Sequence, residues 1–178
     1  RISLLSNPFR SRFGVHYKLD FYNQPEIEKI LARSAGLLKV KIAPQAVAKI
    51  AASSRFTPRI ANRLLKRVRD YTQVKNSTLI TEPLAAQALA LLGIDRLGLE
   101  PTDRQILTTI YQNFKGGPVG LKSIAAAIAE EEDTIEDVYE PYLLQLGFIA
   151  RTARGRMITD LAVEHLRLKK KEGQGTLI

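Results

Sequence analysis

The sequence predicts a mainly α-helical protein, in which a four-helix bundle precedes a winged-helix domain, that is, a helix-turn-helix with a β-hairpin wing. Three observations support this fold. Apolar residues recur at helical spacing in four segments of residues 23–93. Residues 93–101, GIDRLGLEP, contain two glycines and a proline without such periodicity, which indicates a domain boundary. Beyond it, three helical segments precede two short apolar runs that flank RTARGR, the order of a winged helix.

Three helices of the bundle are predicted from start signals, stop signals and apolar spacing. Asn23 followed by Glu26 is typical of a capping box, and this first helix is expected to run to Gly36. A second helix is expected over residues 44–53, with its apolar side chains on one face. The fourth helix is expected to start at an N-cap, Thr81, and a glycine at position 93 is expected to end it.

The third helix lies in RFTPRIANRLLKRVRDY, residues 55–71, where six cations fall within residues 55–69 without an acid. Thr57 is predicted to be its N-cap and Pro58 its first residue. Arg59 then lies in the first turn, at the positive end of the helix dipole, where a phosphate is a favourable partner. An ordinary solvated basic face is the alternative. The other cations that remain unassigned, with a neighbouring subunit as one candidate partner, are Arg63, Lys66, Arg67 and Arg69.

The winged-helix elements follow the boundary. Thr102 is predicted to cap the first helix, GGPVGL to break it, and Ile124, Ala125 and Ile128 to mark a short second helix. Asp133 and Glu136 are predicted to form a capping box that starts the third helix. Its predicted buried residues are Ile135, Val138, Tyr139, Tyr142, Leu143 and Leu146.

The predicted hairpin is basic at its tip. Arg151, Arg154 and Arg156 cluster around Gly155, and such a projecting wing suits contact with DNA phosphates or the minor groove. An exposed hairpin without a binding role is the alternative. The third helix begins with EEEDTIED, whose acids repel phosphate, so major-groove reading by that helix is not expected.

Composition narrows the function further. The net charge is +9, and residues 1–100 contain 17 Lys and Arg against 7 Asp and Glu, which favours a polyanionic partner. The lack of cysteine excludes disulfides and thiolate metal sites. No apolar run approaches the roughly 18 residues of a membrane span, so a cytoplasmic chain without a membrane partner is expected. The chain has no GxxxxGK[ST], HExxH, GxSxG or GxGxxG motif.

Five motifs together resemble the RuvB family, the hexameric AAA+ motors that drive branch migration of Holliday junctions. They are SRFG at 11–14, FTPRIANRLLKRVRDY at 56–71, GGPVGL at 116–121, TIEDVYEPYL at 134–143 and RTARGRMIT at 151–159. The resemblance implies an AAA+ lid domain over residues 23–93 and a winged-helix head domain over residues 94–178. Residues 1–22 would then be the C-terminal remnant of the large ATPase domain. Because the chain opens without methionine, a truncated protein that is inactive by itself is expected.

The resemblance also implies roles for individual residues. Arg12 matches the arginine finger that reaches the γ-phosphate of a neighbouring subunit. Arg59 matches the sensor-2 arginine, and Tyr22 matches an aromatic residue of the nucleotide site. Arg151 and Arg156 match the DNA contacts of the wing.

Several partners are implied by the same resemblance. ATP is the implied cofactor, with Mg²⁺ held by the absent N-terminal part. The implied partners are a Holliday junction or duplex DNA, a homo-hexamer, the junction-recognition subunit RuvA and the resolvase RuvC. Glu132 stands where the family usually has a basic DNA contact, which puts that contact in doubt.

Two other functions remain open at the level of sequence. One is a free-standing winged-helix DNA-binding or adaptor protein, and the other is an initiator-type AAA+ relative that loads DNA. The SRFG motif argues against an adaptor, which has no use for an arginine acting across a subunit interface.

Overall fold

The computed structural model describes Arg12 and residues 22–168. It is mainly helical, as predicted, with a helical bundle followed by a winged-helix unit. The bundle contains α1 (Gln24–Leu37), β1 (Lys41–Ile42), α2 (Pro44–Ala52), α3 (Pro58–Val74), β2 (Leu79–Ile80) and α4 (Glu82–Leu91). The winged-helix unit contains α5 (Pro101–Asn113), α6 (Leu121–Ile128), α7 (Glu132–Thr134), a π-helical turn (Ile135–Tyr139), α8 (Glu140–Gln145), β3 (Ile149–Thr152), β4 (Gly155–Ile158) and α9 (Asp160–His165).

The bundle packs around one apolar core, to which all four helices contribute. Its fully buried side chains include Ile27, Leu31, Ile50, Leu64, Leu65 and Ile80. The sequence did not predict the two short strands β1 and β2, which pair in parallel with Lys41 opposite Leu79. Each is only two residues long, too short for an alternating pattern to be visible in sequence.

Helix caps that depend on neighbouring residues were predicted unevenly. The Asn23 box is confirmed, because Asn23 Oδ1 accepts the Glu26 N–H at 3.0 Å and Glu26 Oε2 accepts the Asn23 N–H at 2.8 Å. Thr57 occupies the N-cap position, but its hydroxyl donates to the Arg55 carbonyl at 3.0 Å instead of capping the helix. Thr81 likewise stands at the N-cap of α4 without a capping hydrogen bond to a described residue.

Two predicted caps of the winged-helix unit are wrong. Helix α5 begins at Pro101, one residue before Thr102, and its N-cap is Glu100, whose backbone N–H donates to the Asp103 carboxylate at 2.7 Å. Helix α7 begins at Glu132, so Asp133 lies inside it and forms no capping box with Glu136. In both cases a glutamate earlier in the sequence, Glu100 or Glu131, occupies the N-cap position instead of the predicted residue.

The winged-helix core joins the three helical segments to the base of the hairpin. Its fully buried side chains include Leu99, Ile106, Leu107, Ile110, Ile124, Ile135 and Leu143. The prediction that Val138 is buried is wrong, because its exposed fraction is 55%. Val138 lies in the π-helical turn, whose i→i+5 spacing rotates side chains away from the face that a 3.6-residue period predicts.

The predicted hairpin is confirmed. Strands β3 and β4 pair antiparallel with Arg151 opposite Arg156, and Val119 adds a bridge to the outer side of β4. The Val119 N–H donates to the Arg156 carbonyl at 2.9 Å, and the Arg156 N–H donates to the Val119 carbonyl at 2.8 Å. Both backbone hydrogen-bonding groups of Arg156 are therefore paired with Val119, on the side of β4 away from β3. The short helix α9 that follows was not predicted.

The two units meet at a buried joint centred on Arg55, whose exposed fraction is 6%. Its Nε donates to the Gly98 carbonyl at 3.0 Å, and its Nη2 donates to an Asp103 carboxylate oxygen. The guanidinium carbon lies 5.1 Å from the centre of the Tyr142 ring. Gly98 passes so close that a Cβ there would meet the Ser53 carbonyl oxygen at 2.5 Å. Arg55, counted from sequence among the basic cluster, is thus an interior residue.

Burial at this joint disfavours the charged form of Asp103. Desolvation raises the pKa of Asp103 to about 6 despite the neighbouring Arg55 guanidinium, which acts in the opposite direction. One of its carboxylate oxygens, Oδ1, lacks a hydrogen-bond partner among the described residues. Arg55 is therefore the main compensation for a carboxylate that is fully buried.

Residues 93–101, within which the domain boundary was predicted, connect the two units through specific hydrogen bonds. Asp95 Oδ1 accepts the N–H groups of Leu97 and Leu99 at 2.8 and 2.9 Å, and Asp95 Oδ2 lies 2.6 Å from His165 Nε2. Arg104 Nη2 donates to the Gly93 carbonyl at 2.7 Å. This stretch lacks helical periodicity because it forms a turn, which is held by hydrogen bonds to side chains of both units.

Candidate functional site

The wing carries a compact cluster of charge. Arg151 and Arg156 are directly opposite each other on β3 and β4, so their side chains share one face of the hairpin. Both reach the carboxylate of Glu140, the first residue of α8. Arg151 Nε lies 2.6 Å from Glu140 Oε1, and Arg156 places Nε 3.1 Å from Oε1 and Nη2 3.1 Å from Oε2. We call these three residues the wing cluster.

Glu140 is buried, with an exposed fraction of 1%, while the side chains of Arg151 and Arg156 are 50% and 19% exposed. Burial opposes ionisation of Glu140, but hydrogen bonds from the two arginines outweigh it and lower the pKa of this carboxyl. The same hydrogen bond raises the pKa of Arg151. These shifts favour the charged forms of Glu140 and Arg151, and the buried carboxylate is shielded from water by its partners.

The other wing residues differ in how far their charge is compensated. Glu136 Oε1 lies 3.4 Å from Arg151 Nη2, a second and looser ion pair. Arg154, at the hairpin tip, is exposed and forms no ion pair with a described residue. Glu132 is exposed at the first position of α7. Three arginines lie on the wing, as predicted, but only Arg154 lacks an acidic partner in the described part of the chain.

Arg59 lies at the second position of α3 and is exposed. It lines a cleft of about 590 Å³ between the bundle and the winged-helix unit, together with Arg63, Val138 and Tyr139. Within the described residues it has no ion pair, whereas Arg63 lies 2.7 Å from Glu100. Arg59 thus combines a free guanidinium with the positive end of a helix, which suits an anion.

The remaining predicted site residues lie at the start of the described chain. Tyr22 is 45% exposed and directly precedes the N-cap of α1. Arg12 is exposed in a turn. The structure brings Arg151 and Arg156 together on Glu140, whereas Arg59 lies in the separate cleft at the start of α3.

The cations of α3 that the sequence left unassigned divide into two groups. Arg63 pairs with Glu100, and Arg69 pairs with the adjacent Asp70 at 2.7 Å. Lys66 and Arg67 are exposed and have no ion pair with a described residue. The basic run is therefore partly internal to this chain and partly available to other molecules.

Sequence reasoning missed Glu140 and the interior role of Arg55. A signal existed for Glu140, since it stands three and four residues before Leu143 and Leu144, the apolar part of its helix. An acid on such a face needs a partner. Arg55 offered no comparable signal, because Asp103 lies 48 residues away in sequence.

Within the described residues, neither a membrane-spanning helix nor a metal-binding cluster is found. None of the helices within residues 22–168 combines the length and apolar character needed to span a bilayer. In the same part of the chain, no cluster of three or more His, Asp or Glu side chains is arranged to hold a metal ion.

Comparisons with known proteins agree along the whole described chain. A family model described as the RuvB AAA lid domain matches residues 22–95, and one described as the RuvB C-terminal winged helix domain matches residues 96–167. The RuvB branch migration complex subunit of Dehalococcoides mccartyi is 56% identical over 168 residues, which cover 94% of this chain and 48% of that protein. That of Methanoregula boonei is 52% identical over 172 residues, covering 97% of this chain and 51% of that protein.

A solved structure shows the same likeness in three dimensions. The Thermotoga maritima RuvB Holliday junction branch migration motor superposes with a TM-score of 0.91 at 48% identity, covering 96% of this chain and 57% of that one. The chain spans about half the length of the curated relatives it matches.

Proposed function

This chain belongs to the RuvB family, of which it carries the lid and winged-helix domains, and from that membership we propose that it is part of a hexameric ATP-driven motor for Holliday junction branch migration. The observation that carries the proposal is the likeness to a branch migration motor over 96% of the chain at a TM-score of 0.91. Because the matched relatives are about twice as long, the activity belongs to a longer protein that contains this chain. A free-standing winged-helix adaptor is disfavoured, since residues 22–95 match an AAA lid domain.

The bundle supplies the nucleotide contacts in this proposal. Arg59 fits a phosphate, because it is exposed, lies in the first turn of α3 and has no ion pair in the described chain. Tyr22 would contact the same nucleotide, and Arg12 would act on the nucleotide of a neighbouring subunit. ATP is the source of energy in this proposal. The phosphate loop that binds ATP and the residues that hold its Mg²⁺ are assigned to the half of the relatives that this chain does not match. Residues 1–22 are assigned to the end of that ATPase domain.

The winged-helix unit supplies the DNA grip. The wing presents Arg151, Arg154 and Arg156 on a projecting hairpin, and arginines bind phosphate oxygens regardless of base sequence. Duplex or junction DNA is therefore the substrate in this proposal, and changes of lid position driven by hydrolysis would be passed to the DNA. The junction-recognition subunit RuvA and the resolvase RuvC are the further partners proposed through the family.

Replacing Arg59 by alanine tests the nucleotide role. In the longer protein that carries this chain, Arg59→Ala is expected to weaken ATP binding roughly tenfold, because a charge-assisted contact to phosphate is lost. Titration with a fluorescent ATP analogue measures the effect. Arg67→Ala removes an equally exposed arginine from the same helix and is expected to leave ATP affinity unchanged. Equal affinities for the two variants would disprove the role of Arg59.

Replacing the paired wing arginines tests the DNA role. The double variant Arg151→Gln/Arg156→Gln is expected to weaken duplex binding to a similar degree for all sequences. It is also expected to reduce the slope of log affinity against log salt by roughly two, because two phosphate contacts are lost. The matched control is Arg33→Gln/Arg67→Gln, which removes the same charge from exposed positions of the bundle. If both double variants change the slope equally, the wing does not grip the backbone and only net charge matters.

A further inference from the structure

We propose that Glu140 is a positioning residue for DNA binding: its buried carboxylate holds Arg151 and Arg156 side by side so that both guanidinium groups face the same stretch of phosphate backbone. The inference rests on the proposed role of the wing. Glu140 does not contact DNA in this proposal, since its exposed fraction is 1%. It acts through the two arginines.

The hydrogen-bond pattern specifies how the arginines are oriented. Both donate Nε–H to the same oxygen of Glu140, and Arg156 adds a bond from Nη2 to the other oxygen. A guanidinium has five N–H donors, so the Nη1 edge of each arginine stays available for another acceptor. Two arginines bound to one carboxylate thus hold their remaining donors close together, where both can reach phosphate oxygens of the same stretch of backbone.

The backbone on both sides of the wing cluster is held by regular hydrogen bonding. The π-helical turn Ile135–Tyr139 ends directly before Glu140 and sets the direction in which its side chain leaves α8. On the other side, Arg156 is paired across the hairpin with Arg151 and bridged to Val119 by two backbone hydrogen bonds. Free arginines lose considerable rotamer entropy when they bind, and a cluster held in this way has lost much of it beforehand.

Glu140 also has a charge effect on DNA binding, and its sign is opposite to that of the positioning effect. Glu140 adds one negative charge to a basic surface, and together with Glu136 it balances the charges of Arg151 and Arg156. If neutralisation were its only effect, removing its charge would tighten DNA binding, because a more positive surface attracts a polyanion. Positioning predicts weaker binding for the same change.

Two variants separate geometry from charge. Glu140→Asp keeps the charge but withdraws the carboxylate by one methylene group, and Glu140→Gln keeps the shape but removes the charge. Both are expected to weaken binding of the 178-residue chain to a fluorescently labelled DNA duplex about tenfold. Both are also expected to reduce the salt slope by about one, as one ordered phosphate contact is lost. A purely structural role would lower the fraction of folded chain, seen by circular dichroism, without changing the slope.

Two controls distinguish failure of the Glu140 inference from failure of the proposed DNA role of the wing. Glu136→Gln removes the same charge beside Arg151, from a looser pair, and is expected to leave affinity unchanged or slightly higher. In the Arg151→Gln/Arg156→Gln background, Glu140→Gln is expected to have no further effect on DNA binding.

Three outcomes would overturn the inference: tighter binding by Glu140→Gln, unchanged binding by Glu140→Asp, or an undiminished Glu140 effect in the double-variant background. If instead the double arginine variant itself binds DNA normally, the proposed function of the wing fails, and the inference with it.

Discussion

Replacing Arg55 by methionine is expected to lower the free energy of unfolding by about 3 to 5 kcal/mol, because it leaves the Asp103 carboxylate buried without its partner. Methionine keeps most of the side-chain volume, so the loss reports the charge and hydrogen bonds more than a cavity. Urea denaturation followed by circular dichroism measures it. Since Arg55 belongs to the bundle and Asp103 to the winged-helix unit, the result also measures how strongly the two units are coupled.

The loss caused by Arg55→Met should depend on pH. In the native protein the pKa of Asp103 is about 6, above its ordinary value of 3.8, so the folded state holds a proton that the unfolded state releases between these values. Stability contributed by this group is therefore present at low pH and falls as pH rises through that window. Arg55 lowers the pKa of Asp103, so removing Arg55 raises that pKa further. In Arg55→Met, stability therefore continues to fall with rising pH over a range that extends higher than in the native protein. Arg55→Met should consequently be less destabilised at about pH 5 than at about pH 8.

An exposed ion pair at the same joint provides the control for this prediction. Arg63 lies 2.7 Å from Glu100, but its side chain is 56% exposed. Arg63→Met is expected to cost less than about 1 kcal/mol at any pH, as exposed ion pairs usually do. Equal losses for the two variants, or a loss in Arg55→Met that does not vary with pH, would contradict the account of a desolvated Asp103.

Replacing Gly155 by alanine is expected to lower the free energy of unfolding by about 2 to 5 kcal/mol, from backbone strain together with steric overlap. Gly155 has a φ of +136°, a backbone angle that residues with a side chain rarely adopt. A Cβ there would lie 2.3 Å from the Val119 carbonyl oxygen. Relief of this overlap must push Val119 away from β4 and break its bridge to Arg156. DNA affinity is therefore expected to fall along with stability, which urea denaturation and a DNA titration measure.

The matched control is another glycine at the base of the wing. Gly120 has a φ of −69°, and a Cβ there would meet nothing within 4 Å. Gly120→Ala is expected to change stability by less than about 1 kcal/mol, since it adds neither strain nor overlap. Should Gly155→Ala unfold at the same urea concentration as Gly120→Ala, the close approach of Val119 to the wing would not be a constraint on its sequence.

Predictions from sequence succeeded where the interacting groups are close along the chain. The helices of both units, the Asn23 capping box and the hairpin depend on contacts between residues a few positions apart, whose spacing is visible in the sequence. The other caps were predicted less well although they are also local: Thr57 and Thr81 occupy their N-cap positions without a capping hydrogen bond to a described residue. Thr102 and Asp133 lie inside their helices. Each has a suitable residue type, but type alone does not decide where a helix begins or which hydrogen bond the side chain makes.

The sequence by itself determined the order and type of the main elements and the family, because periodicity and motifs are properties of neighbouring residues. Only the tertiary structure decided which charges are available. Arg55 and Arg151 look equivalent in sequence, yet one is 6% exposed and bound to Asp103, while the other shares Glu140 with Arg156 at the surface. The cost of burying a charge is met by partners that the fold brings together over 48 and 11 positions of sequence. Spacing along the chain contains no information about such pairs.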